Sequence, residues 1–143
     1  MIFPSLDMKT SDVLFCIDVV RLLAKRSRAT RAKVGCIIWH VKKRTIIGLG
    51  YNGTAENEDN VMEIDGKTLP TVIHAEVNAL RKVSWWNCRN SVLFVTHSPC
   101  ENCAKMIVKS GVRKVYYLEN YGTSAGLSVL RNHNIDVKRL FLP

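Results

Sequence analysis

Two short stretches carry residue types that do metal chemistry: His74-Ala75-Glu76, and further along Pro99-Cys100-Glu101-Asn102-Cys103. A catalytic zinc wants three protein ligands and one position left for water. His74, Cys100 and Cys103 offer one imidazole and two thiolates, which neutralise the 2+ charge and hold a borderline-soft ion. The open position lowers the pKa of bound water toward neutrality, so hydroxide forms at working pH. Glu76 lies two residues from His74 and does not share its helical face as i, i+4 residues do. A lone C-x-x-C is ambiguous among zinc ribbons, redox pairs and chance, and H-A-E alone is weak. The pair in this order, with proline before the first cysteine, is specific. The competing reading is a structural zinc, which would need a fourth protein ligand; Cys16, Cys36, Cys88 and His97 are the available candidates.

The elements that position these stretches show as periodicity. Over residues 12 to 27, Val13, Cys16, Ile17, Val20, Leu23 and Ala24 recur at helical spacing, with Asp18, Arg21, Lys25 and Arg26 off the stripe. Thr10, Ser11 and Asp12 offer N-caps. Residues 33 to 39 and 44 to 50 are apolar and β-branched, a hairpin that ends in Gly50-Tyr51-Asn52-Gly53, where Asn-Gly marks a turn. Cys16 and Cys36 fall on buried positions and are expected to be core. Residues 53 to 70 are irregular and acidic, with Glu56, Glu58, Asp59, Glu63 and Asp65. A loop this long is functional or mobile, or else a solvated flap.

From Thr71 the pattern turns helical through Ile73, Val77 and Leu80, ending at Trp85-Trp86. His74 and Glu76 then sit in its first turn, where the helix dipole favours an anion. A strand at 91 to 96 runs straight into the cysteines, with Cys100 starting a helix over 100 to 110. A helix N-terminus favours thiolate. A strand at 113 to 118, a loop from Glu119 to Thr123, a helix at 124 to 132 and a strand at 135 to 141 follow. Helices alternating with strands after an opening hairpin predict an α/β fold: a five-stranded mixed sheet covered on both faces. Two helix N-termini side by side make a pocket at the sheet edge where α/β proteins bind ligands.

The 143 residues suit one domain over 1–143, with 47% apolar and 23% charged residues. Lys+Arg less Asp+Glu is 21 − 12 = +9, a balance that points to anionic partners. Five cysteines without a framework spacing read as free thiols in a reducing compartment, the cytoplasm (of the host, if the chain is viral). The N-terminus lacks the basic region and long apolar run of a signal peptide, and no segment reaches membrane-spanning length.

On these residues the chain resembles the cytidine and deoxycytidylate deaminase superfamily over nearly its full length. H-A-E…P-C-x-x-C matches the signature of zinc-dependent nucleobase deaminases. Ser27 to Gly35, Arg44 to Ile47 leading to Gly50-Tyr51-Asn52-Gly53, and His74-Ala75-Glu76-Val77-Asn78-Ala79-Leu80 carry the likeness further. Ser98-Pro99-Cys100-Glu101-Asn102-Cys103 and the Tyr121 loop continue it, and within the superfamily it is most similar to the deoxycytidylate (dCMP) deaminases.

The resemblance implies a cytidine-deaminase-like three-layer α/β/α domain that hydrolyses dCMP to dUMP for thymidylate synthesis, with zinc-bound hydroxide attacking C4 of cytosine. It implies that Glu76 is not a ligand but shuttles a proton from water to ring nitrogen and then to the leaving ammonia. It implies sugar contact by Asn52, pyrimidine carbonyl contact by the Ala75 N–H, amino-group contact by the Ser98 backbone, and a place for Tyr121 near the phosphate. The phosphate also needs cations or N–H donors, and Arg28 and Arg31, beside Asn52 if the hairpin pairs, are favoured over Lys33. Asn52 has the alternative of turn-making alone, and the basic loop that of plain solvation. His40, His97 and His133 are read as structural or surface, and Trp85 and Trp86 as core or subunit contact.

A homo-oligomer, a hexamer, activated by dCTP with Mg²⁺ and inhibited by dTTP, is implied likewise, with residues Gly53 to Pro70 as the regulatory element. Many family members carry Pro-x-Gly after Gly-Tyr-Asn-Gly, and some hold a second zinc through cysteines there. Here Thr54-Ala55-Glu56-Asn57 stands instead, and residues 53 to 73 hold no cysteine or histidine, so only one zinc is expected. Two other functions compete: a polynucleotide deaminase (tRNA adenosine or single-strand cytidine), favoured by the +9 charge, and a non-catalytic zinc-binding module, disfavoured by Glu76. No basic extension follows the last strand, which favours the free nucleotide.

Overall fold

The computed structural model describes residues 3–29, 32–54, 63–64, 67–68 and 72–141. Its centre is a five-stranded mixed sheet in the order β2-β1-β7-β8-β9. β1 (Gly35–His40) runs antiparallel to β2 (Thr45–Tyr51) and to β7 (Ser91–His97). β8 (Lys114–Glu119) and β9 (Asp136–Arg139) continue from β7 in parallel. Two short ribbons lie between β2 and the next helix. One pairs β3 (Gly53–Thr54) with β6 (Val72–Ile73); the other pairs β4 (Glu63–Ile64) with β5 (Lys67–Thr68). The expected three-layer α/β/α architecture is present.

Every residue of β1 is buried, because helices cover both faces. The pleat sends Ile37 and Trp39 one way, to meet Val92, Phe94 and Cys16 of α1 (Thr10–Ala24). It sends Cys36 and Ile38 the other way, into the main core with Leu93, Val95, Ala79, Ile107 and Leu130. The helices on that side are α2 (Ala75–Leu80), α4 (Glu101–Ser110) and α5 (Ala125–Asn132). Cys16 and Cys36 are both core, as their positions in the pattern predict.

Two local expectations are corrected. None of Thr10, Ser11 and Asp12 caps α1: the N-cap is Lys9, without a side-chain cap. Asp12 is buried and takes both Arg44 Nε and Nη2 at 2.9 Å. That hydrogen bonding, ahead of simple charge attraction, holds its carboxyl below the usual range. The long helix expected from Thr71 to Trp86 is also interrupted. Ile73 pairs with Gly53 in a ribbon, α2 stops at Leu80, and a separate α3 (Trp85–Arg89) begins after Ser84, whose hydroxyl caps the Asn87 N–H at 3.1 Å. Trp85 and Trp86 therefore open a helix. They are exposed, edge to face with each other at 5.0 Å, and they are not core.

Candidate active site

The chain brings His74 and the two cysteines together by capping two helices side by side. His74 is the N-cap of α2 and Cys100 the N-cap of α4, both in extended backbone conformation. The Cys100 sulfur accepts the Cys103 N–H at 3.5 Å, so one thiol closes the first turn that carries the other. His74 Nδ1 stands 3.8 Å from Cys100 Sγ and 3.3 Å from Cys103 Sγ. A tetrahedral zinc with bonds of about 2.0–2.3 Å separates its nitrogen and sulfur ligands by about 3.5 Å. The donor triangle, all within 4.8 Å, fits such an ion. Among the described residues no other histidine, cysteine, aspartate or glutamate joins this group, so Cys16, Cys36, Cys88 and His97 do not complete a structural site.

The electrostatics agree with a site meant for a cation. Hydrogen bonds from Cys103 and then His74 bring the Cys100 thiol down to about 3. Cys103 moves up, because its proton is held against Cys100 and because it is buried. The hydrogen bond to Cys100 raises His74. A divalent ion displaces the protons that remain on such ligands, so metal binding releases protons. Glu76 sits in the first turn of α2 and is only 4% exposed. Burial raises its pKa, against the pull of its backbone hydrogen bond and of His74. A buried carboxyl beside a three-ligand cation site is the furniture of metal-assisted hydrolysis rather than of a structural zinc.

The other expected contact residues are distributed around this centre. Ala75 is fully buried in the first turn of α2. Ser98, between β7 and the cysteine loop, is tied to the end of β8 and the loop after it: its N–H reaches Glu119 O at 2.9 Å. Its hydroxyl accepts the Tyr121 N–H at 2.8 Å and donates to Tyr121 O at 3.2 Å. Tyr121 is exposed and edge-on to His97 at 5.7 Å. Asn52 does more than turn the chain. Its Oδ1 accepts the Val34 N–H at 3.0 Å and its Nδ2 donates to Ala32 O at 2.9 Å, so it binds the segment before β1 to the end of β2. Arg28 is exposed in that same segment, between buried Ser27 and Ala29. Arg31 lies outside the described residues, as does most of the 53–70 loop.

Four residues that shape the site, Ser27, Thr96, Gly126 and Gly50, have no such role expected from the sequence. Ser27 donates to Asn52 O at 3.0 Å and accepts the Ala29 N–H at 3.1 Å, which sets the loop holding Arg28. Thr96 accepts the Gly35 N–H at 3.1 Å. Single hydroxyls of this kind have no spacing signature. Gly126 did leave a signal, since glycine inside a helix is costly and asks for a packing reason. A Cβ there would stand 2.0 Å from Pro99 O and 2.9 Å from the Cys100 carbonyl carbon. Gly50 plays the same part under α2: its Cβ would meet Ala75 O and Asn78 Cβ at 2.6 Å each. Gly126→Ala is expected to cost about 1–3 kcal/mol or more by pushing α5 off the cysteine loop. A lower Tm together with faster loss of zinc to a chelator would be the reading.

The three-layer fold carries a three-ligand metal site with a buried carboxyl near it, an arrangement suited to metal-assisted hydrolysis. The family model of the cytidine and deoxycytidylate deaminase zinc-binding region matches residues 11–119. The chain belongs to the cytidine and deoxycytidylate deaminase family. It is 33% identical over 110 residues to a probable deoxycytidylate deaminase of Caenorhabditis elegans, covering 73% of this chain and 55% of that one. It is 31% identical over 115 residues to the deoxycytidylate deaminase of Homo sapiens, covering 74% and 64%. The match thus spans only about half to two-thirds of these relatives' length. Among solved structures, the dCMP deaminase of cyanophage S-TIM5 in complex with dCMP and dUMP superposes with a TM-score of 0.85 at 37% identity, covering 94% of this chain and 100% of that one.

Proposed function

We propose that this protein is a zinc-dependent dCMP deaminase that hydrolyses dCMP to dUMP and ammonia. The convergence of His74, Cys100 and Cys103 at two helix N-termini, with Glu76 buried beside them, carries the reading. Likeness to a phage enzyme seen with dCMP and dUMP supports the substrate.

Zinc held by the three ligands supplies a Lewis acid that makes water nucleophilic near neutral pH. Glu76 would move the protons: it takes one from the attacking water and gives it to the ring nitrogen next to C4, then takes the remaining proton from the new C4 hydroxyl and passes it to the amine as the C4–N bond breaks. The Ala75 N–H, at the positive end of α2, meets the pyrimidine carbonyl. The Ser98 backbone accepts from the amino group, and Asn52 holds the sugar in the frame it builds with Ala32 and Val34. Tyr121, Arg28 and Arg31 receive the phosphate. The test is ammonia release from a panel of dCMP, CMP, dCTP, deoxycytidine, cytosine and a tRNA anticodon stem; turnover of the stem in preference to dCMP would overturn the reading.

Arg28→Ala or Arg31→Ala is expected to raise KM for dCMP far more than for deoxycytidine. A charge-assisted bond contributes about 1.5–3 kcal/mol, roughly tenfold or more in affinity. Equal effects on both substrates would move the phosphate site elsewhere.

On the same reading the chain is cytoplasmic, in keeping with its free thiols, and works as a hexamer. Among the described residues no helix is long and apolar enough to cross a membrane. dCTP with Mg²⁺ would activate and dTTP inhibit, through the loop joining Asn52 to His74. The acidic residues of that loop suit Mg²⁺ beside phosphates, and an effector shifts the balance only if it binds the active arrangement more tightly. A sigmoidal dCMP saturation curve made hyperbolic by dCTP–Mg²⁺, from a particle of hexamer mass by light scattering, is the expected result. A monomer with hyperbolic kinetics, indifferent to both nucleotides, would leave the loop a plain lid.

A further inference from the structure

A second concave site lies away from the metal ligands. A cavity of about 370 Å³ opens between the end of α1, the carboxyl ends of β7 and β8, and the chain leaving β9. Four cations from three separate parts of the chain converge on it: Arg21 of α1 with Lys25 capping its end, Lys33 from the segment before β1, and Arg139 from β9. Among the described residues none of the four makes an ion pair. Glu119 is the one carboxylate on the wall, and it faces His97 at 3.5 Å.

Arg21 and Lys25 would suit the end of α1 in any case, because cations complement the negative end of a helix dipole. That does not account for Lys33 and Arg139, which come from elsewhere to the same hollow. Arg139 is also held in place. Its Nε donates to Leu118 O at 3.0 Å, and its guanidinium stacks on Phe141 at 4.8 Å. Anchored by Nε, it presents its two terminal nitrogens as a preset fork, the geometry that fits phosphate oxygens. The carboxyl ends of parallel strands are where open α/β sheets take ligands.

We propose that this cavity binds the phosphate chain of a di- or triphosphate. The wall carries four cations and one carboxylate, 4 − 1 = +3. A single phosphate brings about −1.5 to −2, so two or three linked phosphates balance the site better than one. The exposed outer face of Phe141 leaves room for a base to stack if the chain belongs to a nucleotide. Among the described residues that line this cavity, His74, Cys100 and Cys103 do not figure. The inference stands whether or not the deaminase reading holds.

Calorimetric titration of the zinc-loaded full chain at low salt, with inorganic triphosphate and with ATP, tests it. One equivalent per chain is expected, undisplaced by saturating dUMP. Lys25→Ala/Arg139→Ala should weaken it about tenfold or more. Binding of both probes means that the phosphate chain suffices; binding of ATP alone means that the base is read as well. Arg21→Glu/Lys25→Glu, at exposed positions at the end of α1, keeps the test valid if the first variant folds poorly, and should abolish binding. No binding of either probe, affinity unchanged in the variants, or displacement by dUMP would overturn the proposal. So would binding of a single-stranded oligonucleotide in place of the free phosphates, with a steep salt dependence that gives this face to nucleic acid.

Discussion

Glu76→Gln is expected to keep its fold and its zinc while dCMP turnover falls by at least ~10² to 10⁴-fold. That is the range a positioned proton-transfer group contributes, and here the same carboxyl serves more than once per cycle. The amide has nearly the same shape and still fills the buried place beside Cys103. It cannot carry the proton. Ammonia release measured alongside metal content separates the two effects. Turnover close to wild type would remove Glu76 from the role.

Cys100→Ser/Cys103→Ser should take bound zinc from about one equivalent per chain to essentially none. Hydroxyls are poor replacements for two thiolates on a borderline-soft ion. His74 alone then remains of the donor triangle. Activity goes with the metal, but the sheet, whose core lies mainly behind these residues, is expected to persist with a lower Tm. Metal analysis after gel filtration gives the count. Stoichiometric zinc in the double variant would exclude the two sulfurs as ligands.

The parts of this fold that could be read from the chain are those set by local periodicity. β1 and β7 are short, β-branched and apolar on both faces, which is how strands under two helical layers must look. Glu76 does fall in a first turn and Cys100 at a helix start, as the pattern predicts, while His74 stands one step earlier, as the cap of α2. What was hidden depends on partners far along the chain. Ile73 continues a helical stripe perfectly well, yet it pairs with Gly53, a residue 20 positions earlier. Asp12 reads as a cap until Arg44 arrives from 32 positions away. Asn52 could be seen as a turn residue, but its amide closes a bond to Ala32 and Val34 that only the hairpin brings near. The clustering of Arg21, Lys25, Lys33 and Arg139 follows from the parallel order of β7, β8 and β9, which no window of sequence contains.

The two borders of the sheet bear on how copies of this chain meet. A bare strand border invites another strand to join it, and proteins guard against that. At one border β9 has four residues, three of them charged: Asp136, Lys138 and Arg139. At the other, β2 carries an irregularity opposite Ile38 and Trp39, where the pairing slips past Ile47. Such a bulge twists a strand away from a flat template. Both ends of the ladder are thus closed to a further rung. Runaway pairing of sheet edge on sheet edge is resisted from the start.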